Sequence, residues 1–487
     1  MIRRFGQPRS AMMLLASKHR TTRRRGKHMT NDSISRRAFM QASAAAGVAA
    51  WAGPGFARAQ PDTRLRVLSI GVIGTIGEAD RHHIASHPLV DIVGLCDVDA
   101  DSLAKAAGEH PKAFTCADYR EAFDKHAGKF DAVIVATPDH SHCTIMTTAL
   151  SHNKHVYGQK PLVQQLEELE ILGNAVKARP NCQTQTGAQR IEHAPRRAAV
   201  DILKGGELGK VIEVHVTYGN GALAGGYYFA DGVLGDPIEP PAGFDYNLWL
   251  CGAAEEPCRP QMVQRQWRSW WKYGGGQITD WVVHLTDVVF YAFPELTSPV
   301  QVCSRTPSRD LTYFHADHVT STITYAVKSD KFANTTCNFY FYDSNMRPDR
   351  VQLGLGEGDW PSGICTIVVC EGGTLVLAPE GPLEIWRDRQ KTDGMQWPGL
   401  PAYESFNHWH AWVDKALGKD TPHRWMPFEI GLRCTEPGLL AVKAAKYPGQ
   451  VLQWDRKNLV FPNHADATKT LVRREYRNGF EPVRLKS

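Results

Sequence analysis

No segment of this chain offers the roughly 20 consecutive apolar residues that a membrane-spanning helix needs. The most apolar run, Ala38 to Ala52, is shorter and only mildly apolar. The 11 cysteines contain no C-x-x-C pair, which removes the usual signature of a zinc ribbon or a thioredoxin-like motif. Their odd number, with several inside apolar strands, points to buried reduced thiols rather than a disulfide framework. No internal repeat is present, so a solenoid or propeller is excluded. Excess positive charge is also missing once the amino terminus is set apart. Residues 1–59 hold 12 Lys or Arg and 1 acid, whereas residues 60–487 hold 44 basic and 50 acidic side chains, a net of −6. The formal +5 of the whole chain therefore belongs to its first 59 residues, and a nucleic-acid partner loses its electrostatic basis.

That leader has a signature of its own. Ser35-Arg36-Arg37-Ala38-Phe39-Met40 precedes an alanine- and glycine-rich stretch, and Ala57-Arg58-Ala59 offers a small-residue cleavage site before Gln60. The pattern predicts recognition by the twin-arginine export machinery, removal of residues 1–59 and a periplasmic or otherwise exported protein. A retained anchor and a start at Met29 are the alternatives. The remaining 428 residues are enough for two domains with substantial cores.

What is present is an α/β pattern. Val67 to Gly74 is a β-branched apolar run that stops in a glycine-bearing turn, Thr75-Ile76-Gly77, as a buried parallel strand feeding a helix should. A helix is expected from Ala79 to Ser86. Val90 to Asp97 then gives a second strand ending in an acid 20 residues after Gly77, where a ribose-binding carboxylate is expected. In the G-x-G-x-x-G register starting at Gly74, the second and third positions are Ile76 and Ala79, so the order of strand, turn, helix, strand and acid carries the reading more than the glycines do. A carboxylate at Asp97 accepts ribose hydroxyls and repels a 2′-phosphate, which favours NAD over NADP. Phe130 to Pro138 is a further buried strand, and its end, Thr137 to His142, is placed at the ligand-binding edge of the sheet. Gly74, Thr75, Ile76, Gly77, Asp97, Thr137, Pro138 and His142 are the expected cofactor contacts; His140 reads equally well as a residue with no chemical duty.

Lys154 to Pro161 is the next strand and its exit, closing in Gln159-Lys160-Pro161, and far downstream Asp280 and His284 stand four apart after Gly274-Gly275-Gly276. Here the chain resembles the glucose-fructose oxidoreductase and inositol dehydrogenase family, Gfo/Idh/MocA, which carries Glu-Lys-Pro and an Asp-x-x-x-His pair at these places. The resemblance covers most of the chain from Arg66, through Thr186 to Arg190 and Phe244 to Leu250, to the closing region His408 to Glu481. It implies an N-terminal Rossmann domain, here residues 64–185, followed by an α+β domain with an open, mostly antiparallel sheet, residues 186–487, which in relatives often forms the interface of a homo-oligomer, a dimer or tetramer. It implies Lys160 as the catalytic, nicotinamide-proximal lysine, with Gln189 toward the cofactor and Arg190 toward the substrate. The acid beside the lysine is an amide, Gln159, which removes a charge that would stabilise an ammonium.

On a helix, residues four apart share a face, so Asp280 and His284 can enter one pocket beside Lys160. Oxidising a sugar hydroxyl needs a base, and imidazole suits that near neutrality, which makes His284 the first choice, with Lys160 polarising the oxygen and Asp280 orienting substrate or imidazole. Asp280, His284 and Asp287 show no compact third and fourth ligand, so no metal is expected. The three glycines are expected to let the backbone approach the ligand. Of Trp249, Trp267, Trp270, Trp271 and Trp281, one or two are expected to line the pocket against a sugar face, with Trp267 and Arg268 as substrate contacts.

Alternating or β-branched runs at Val211 to Tyr218 and Val319 to Tyr325, a hairpin from Cys365 to Leu377, a Gly- and Pro-rich loop from Gly219 to Pro241, and helices at His408 to Leu417 and Glu429 to Lys446 complete the second half. The function expected is oxidation or reduction of a sugar, glycoside or polyol by a tightly held NAD, since an exported enzyme has little free dinucleotide to draw on. A redox-neutral NAD-dependent glycosidase and a non-catalytic sugar-binding protein are the alternatives.

Overall fold

The computed structural model describes residues 63–219, 234–260, 262, 266–308, 311–316, 318–421 and 426–486. The expected export leader and most of the expected Gly219–Pro241 loop lie outside the described residues. Five βα units open the fold: β1 (Leu65–Ile70), α1 (Gly77–Ala85), β2 (Val90–Cys96), α2 (Ala100–Glu109), β3 (Phe114–Cys116), α3 (Tyr119–His126), β4 (Ala132–Val135), α4 (Asp139–Ser151), β5 (His155–Gly158), α5 (Leu166–Ala178), then β6 (Thr184–Thr186). Their six strands form one parallel sheet in the order β3-β2-β1-β4-β5-β6. The order reverses between β1 and β4, and the crevice outside the carboxyl ends of strands at such a point is where α/β folds bind ligands. Continuous apolar runs form these strands because both faces are covered: all four residues of β4 are 0% exposed.

The rest of the chain builds a second sheet: α6 (Ala194–Gly205), β7 (Val211–Tyr218), α7 (Tyr246–Leu250), α8 (Gly276–Ala292), β8 (Pro299–Arg305), β9 (Thr320–Ala326), β10 (Thr336–Tyr342), β11 (Ile364–Cys370), β12 (Gly373–Leu377), β13 (Leu383–Arg387), β14 (Gln390–Asp393), α9 (His408–Ala416), α10 (Phe428–Ala444), β15 (Val451–Gln453) and α11 (Ala465–Leu471). Its nine strands run β14-β13-β12-β11-β7-β10-β9-β8-β15, antiparallel at every described pairing but β7–β10. The expected hairpin is β11–β12, turning at Glu371-Gly372.

One boundary differs from the sequence reading in a way that matters. β1 stops at Ile70, four residues short of the end of the apolar run, because Gly71 takes φ +80° and turns the chain. Two helices decide where the second half meets the first. α8 is clamped by α10, packed so closely that a Cβ at Gly438 would lie 2.7 Å from Val282 Cγ1, and by α6 through the buried Arg196–Asp287 ion pair. α9 returns to the first sheet, where Trp409 Nε1 donates to Asp80 on α1 at 2.8 Å.

Candidate active site

The turn after β1 is built by three glycines, of which the sequence register starting at Gly74 held one, Gly74, with Gly77 read beside it as a turn residue. At Gly71 a Cβ would stand 2.6 Å from the Ala136 carbonyl oxygen, and at Gly77 it would stand 2.3 Å from that of Gly71. Those two are needed for close packing of β1, β4 and α1. Gly74, at φ +85° with nothing within 4 Å of its would-be Cβ, faces open space, so its backbone is free for a ligand. Ile76 and Ala79 are not the missing glycines; Gly71 is.

Asp97, at the end of β2, accepts the Val72 amide on one carboxylate oxygen (2.9 Å) and the Asp99 amide on the other (3.1 Å). Burial pushes its pKa up and these amides oppose the shift. It therefore ties the glycine turn to β2 while its remaining lone pairs face the cavity. Asp99 adds a second acid there, capping α2 by accepting the Asp101 amide (3.1 Å) and also accepting from Ser102 Oγ (2.9 Å).

A cavity of about 840 Å³ runs along the carboxyl edge of the first sheet. Gly74, Thr75, Ile76 and Asp97 line one part of it, joined by Asp99. Thr137, Pro138, His142, Lys160, Trp267 and Arg268 line the other. Trp249 and Trp267 are the two of the five tryptophans that face it. Gly77, Gln189, Arg190, Asp280 and His284 do not line it. The cradle fits a dinucleotide: it has a backbone-open glycine turn, two acids at the ribose end, and length enough to reach Lys160.

At the far end Lys160 Nζ is ion-paired with Asp280 of α8, their side chains 15% and 10% exposed. The lysine's carboxylate partner thus comes from an element 120 residues away rather than from position 159. Gln159 instead turns its amide nitrogen to the fully buried Asp80, 2.7 Å away, which also holds Trp409. Burial pushes Asp80 up to about 6, against the pull of those hydrogen bonds and of the Lys160 charge.

His284 is 3% exposed, edge-on to Trp281, and its Nδ1 meets no partner among the described residues. Burial, then the charges of Arg190, Lys160 and Arg196, push its pKa well below the usual range, so the ring is neutral. Arg190 itself pairs with Glu380 at 3.4 Å and lies over Trp281. The structure therefore brings Lys160 and Asp280 together and sets His284 one helical turn behind them. His142 bridges the Thr137 and Pro161 carbonyls at 2.7 and 2.8 Å, pinning the lysine turn to α4, and burial lowers its pKa. His140 is held by the Trp249 carbonyl at 2.9 Å and driven down to about 3 by burial.

The glycines before α8 serve packing rather than ligand approach. A Cβ at Gly274 would lie 2.6 Å from the Arg268 backbone and one at Gly275 would lie 2.2 Å from Thr279 Oγ1. That close approach seats Arg268 in the cavity wall, stacked on Trp267 at 4.2 Å. The Glu78, His82 and Glu109 group could meet a metal geometrically, but it lies away from the cavity, with Arg81 and Lys105 already on its carboxylates.

Residues 66–186 match the family described as an oxidoreductase family with an NAD-binding Rossmann fold, and residues 195–328 match the C-terminal α/β domain of that family. The chain is 30% identical over 165 residues to an inositol 2-dehydrogenase of Gluconacetobacter diazotrophicus, a stretch that covers 33% of this chain and 48% of that protein. It is 28% identical over 138 residues to glycosyl hydrolase family 109 protein 1 of Akkermansia muciniphila, covering 26% and 27%. Half or less of each curated relative's length is thus spanned. A solved inositol dehydrogenase homolog of Azotobacter vinelandii, complexed with NADH and myo-inositol, shares the fold at TM-score 0.53 and 18% identity over 82% of this chain and 99% of that one. With the two matched regions together spanning more than half of its length, the chain belongs to the Gfo/Idh/MocA family of oxidoreductases.

Proposed function

We propose that the protein is an NAD-dependent oxidoreductase acting on a hydroxyl of a sugar, inositol or other polyol. The observation that carries this reading is Lys160, ion-paired with Asp280 behind it, lining the same cavity as the glycine turn and Asp97. When bound, the dinucleotide would supply the hydride acceptor. The chain's own residues bind and orient. The amides at Gly74 and Thr75 would hold its phosphates, Asp97 and Asp99 would meet the ribose and disfavour a 2′-phosphate, and Lys160, held by Asp280, would polarise the reacting oxygen. His284 acts on that oxygen only through Asp280 and Lys160. Trp267 and Arg268 offer a face and a donor to the sugar ring. The relatives named for inositol dehydrogenation support a polyol substrate.

The test is direct. Purified protein is denatured and assayed for released NAD, then the intact protein is offered NAD with monosaccharides, inositols and glycosides while NADH fluorescence is followed. NADH should form from NAD with at least one polyol or sugar, and no NADPH from NADP; no signal from any compound would sink the reading. A redox-neutral glycosidase is the second reading, favoured by the similarity to glycosyl hydrolase family 109 protein 1; glycoside cleavage with no accumulating NADH would establish it. Export rests on the Arg36-Arg37 signature, and replacing both with Lys should leave the protein in the cytoplasm if that signature is read. A homo-oligomer is expected from the family resemblance and is read by light scattering.

A further inference from the structure

The turn that opens α4, Thr137 to His142, presents five polar side chains, and all but one are committed to the fold. Ser141 Oγ donates to the Pro138 carbonyl at 2.8 Å and to Thr137 Oγ1 at 2.7 Å. The rings of His140 and His142 are taken by the carbonyls of Trp249, Pro161 and Thr137. Asp139 is the exception. Its residue is 5% exposed and lines the cavity, and among the described residues its carboxyl meets no side-chain partner, only its own amide N–H. Leaving a buried carboxyl without a partner is costly unless a ligand satisfies it. The charges that act on it from the surrounding elements are those of the site itself: Arg268 from the turn before α8, Asp280 from α8 and Lys160 from the β5 exit. His140 and His142, the titratable neighbours on its own helix, are buried, with pKa values pushed down.

We propose that Asp139 is the substrate-facing acid–base group of this site, taking the proton of the reacting hydroxyl in oxidation and returning it in reduction. The inference rests on the dehydrogenase reading and deepens it, moving the proton step from His284 to a side chain that lies in the cavity wall. The balance is complete with NAD as oxidant: the carbon–hydrogen pair leaves as hydride, the O–H bond breaks, its electrons form the carbonyl π bond, and the proton ends on the Asp139 carboxylate. Burial pushes this carboxyl up to about 8, aided by Asp280 and opposed by Arg268 and Lys160, so a proton is exchanged near neutrality in either direction. As a carboxyl it must be ionised to accept a proton and protonated to return one. Oxidation therefore quickens and reduction slows as pH rises through about 8.

The experiment compares the full chain with Asp139→Asn, which keeps shape and polarity but cannot exchange a proton, and with His284→Ala. Infrared difference spectra across pH 5 to 10 read the carbonyl stretch of a protonated carboxyl without any turnover. Wild type should show a band that titrates near pH 8, and Asp139→Asn should lack it. NADH binding, followed by energy transfer from tryptophan, should change less than twofold in Asp139→Asn. With whichever polyol reduces the bound NAD, that variant should lose about 100-fold or more in rate together with the limb of its pH profile that rises through about 8. An absent band, or a variant that keeps the wild-type limb while His284→Ala abolishes turnover, overturns the proposal. Failure of the dehydrogenase reading shows differently: wild type forms no NADH with any compound although the band is present, and the proposal falls with it.

Discussion

A single amide changes how charge is arranged around the lysine. Where the family resemblance implies an acid beside the lysine, Gln159 hands its amide nitrogen to Asp80, an acid that is fully buried and shared with Trp409. The stability consequence follows from the raised pKa. The folded chain holds a proton on Asp80 up to about pH 6, the unfolded chain only to about 4. Stability from this group is therefore full below the unfolded value and is lost as pH rises through the folded one, by about 3 kcal/mol. Asp80→Asn cannot show that loss. Urea melts at pH 4 to 7 should find the gap between wild type and variant shrinking by about that amount, and a constant gap would refute it. Asp97 was legible from its spacing to the glycine turn, and Lys160 and Asp280 only through the family resemblance carried by Lys160-Pro161 and the Asp280–His284 step. Asp139 and Asp80 were not, since only burial and the absence or presence of a distant partner distinguish them from surface acids.

At the scale of elements, the glycine turn shows what hydrophobic patterning marks and what it misses. The apolar run continues through Val72 and Ile73, so nothing in the composition ends β1 at Ile70, while the left-handed backbone at Gly71 does. The two left-handed glycines are predicted to respond differently to alanine. Gly74→Ala adds a methyl in open space and should cost about 1–2 kcal/mol for the backbone alone. Gly71→Ala incurs the same cost and drives its methyl into the Ala136 carbonyl, so the βα turn must shift. Thermal melts and NADH titration should find Gly71→Ala several-fold weaker in binding and lower in melting temperature than Gly74→Ala; equal effects would sink the assignment. The strands of both sheets, by contrast, were legible to within a few residues. Parallel strands buried on two faces read as unbroken apolar runs, and half-buried antiparallel ones alternate.

At the scale of the molecule, distant segments hold the site in place. Arg474 and Tyr476, near the end of the chain, both reach one oxygen of the fully buried Glu168 on α5, at 3.0 and 2.7 Å, and Arg474 also binds the His140 carbonyl. Arg474→Ala would leave Glu168 without its cation and should destabilise the fold by about 3–5 kcal/mol in urea melts. NADH affinity of the folded fraction should be little changed, because Arg474 does not line the cavity. Loss of affinity without loss of stability would show that the tail acts on the site directly.

What the sequence determined on its own was the succession of buried and half-buried strands, the acid spaced 20 residues from the glycine turn, and the four-residue step between Asp280 and His284. All of these are periodicities or short spacings that the backbone converts into position without help from elsewhere. The tertiary structure decided the rest. It gave Lys160 its carboxylate from 120 residues away, turned His284 behind that pair, placed Gly71 against the end of β4, and left Asp139 in the cavity wall with no side-chain partner among the described residues. The reason is physical: the state of a charged or polar side chain depends on which distant groups desolvate and pair with it, and that is settled only when the helices pack.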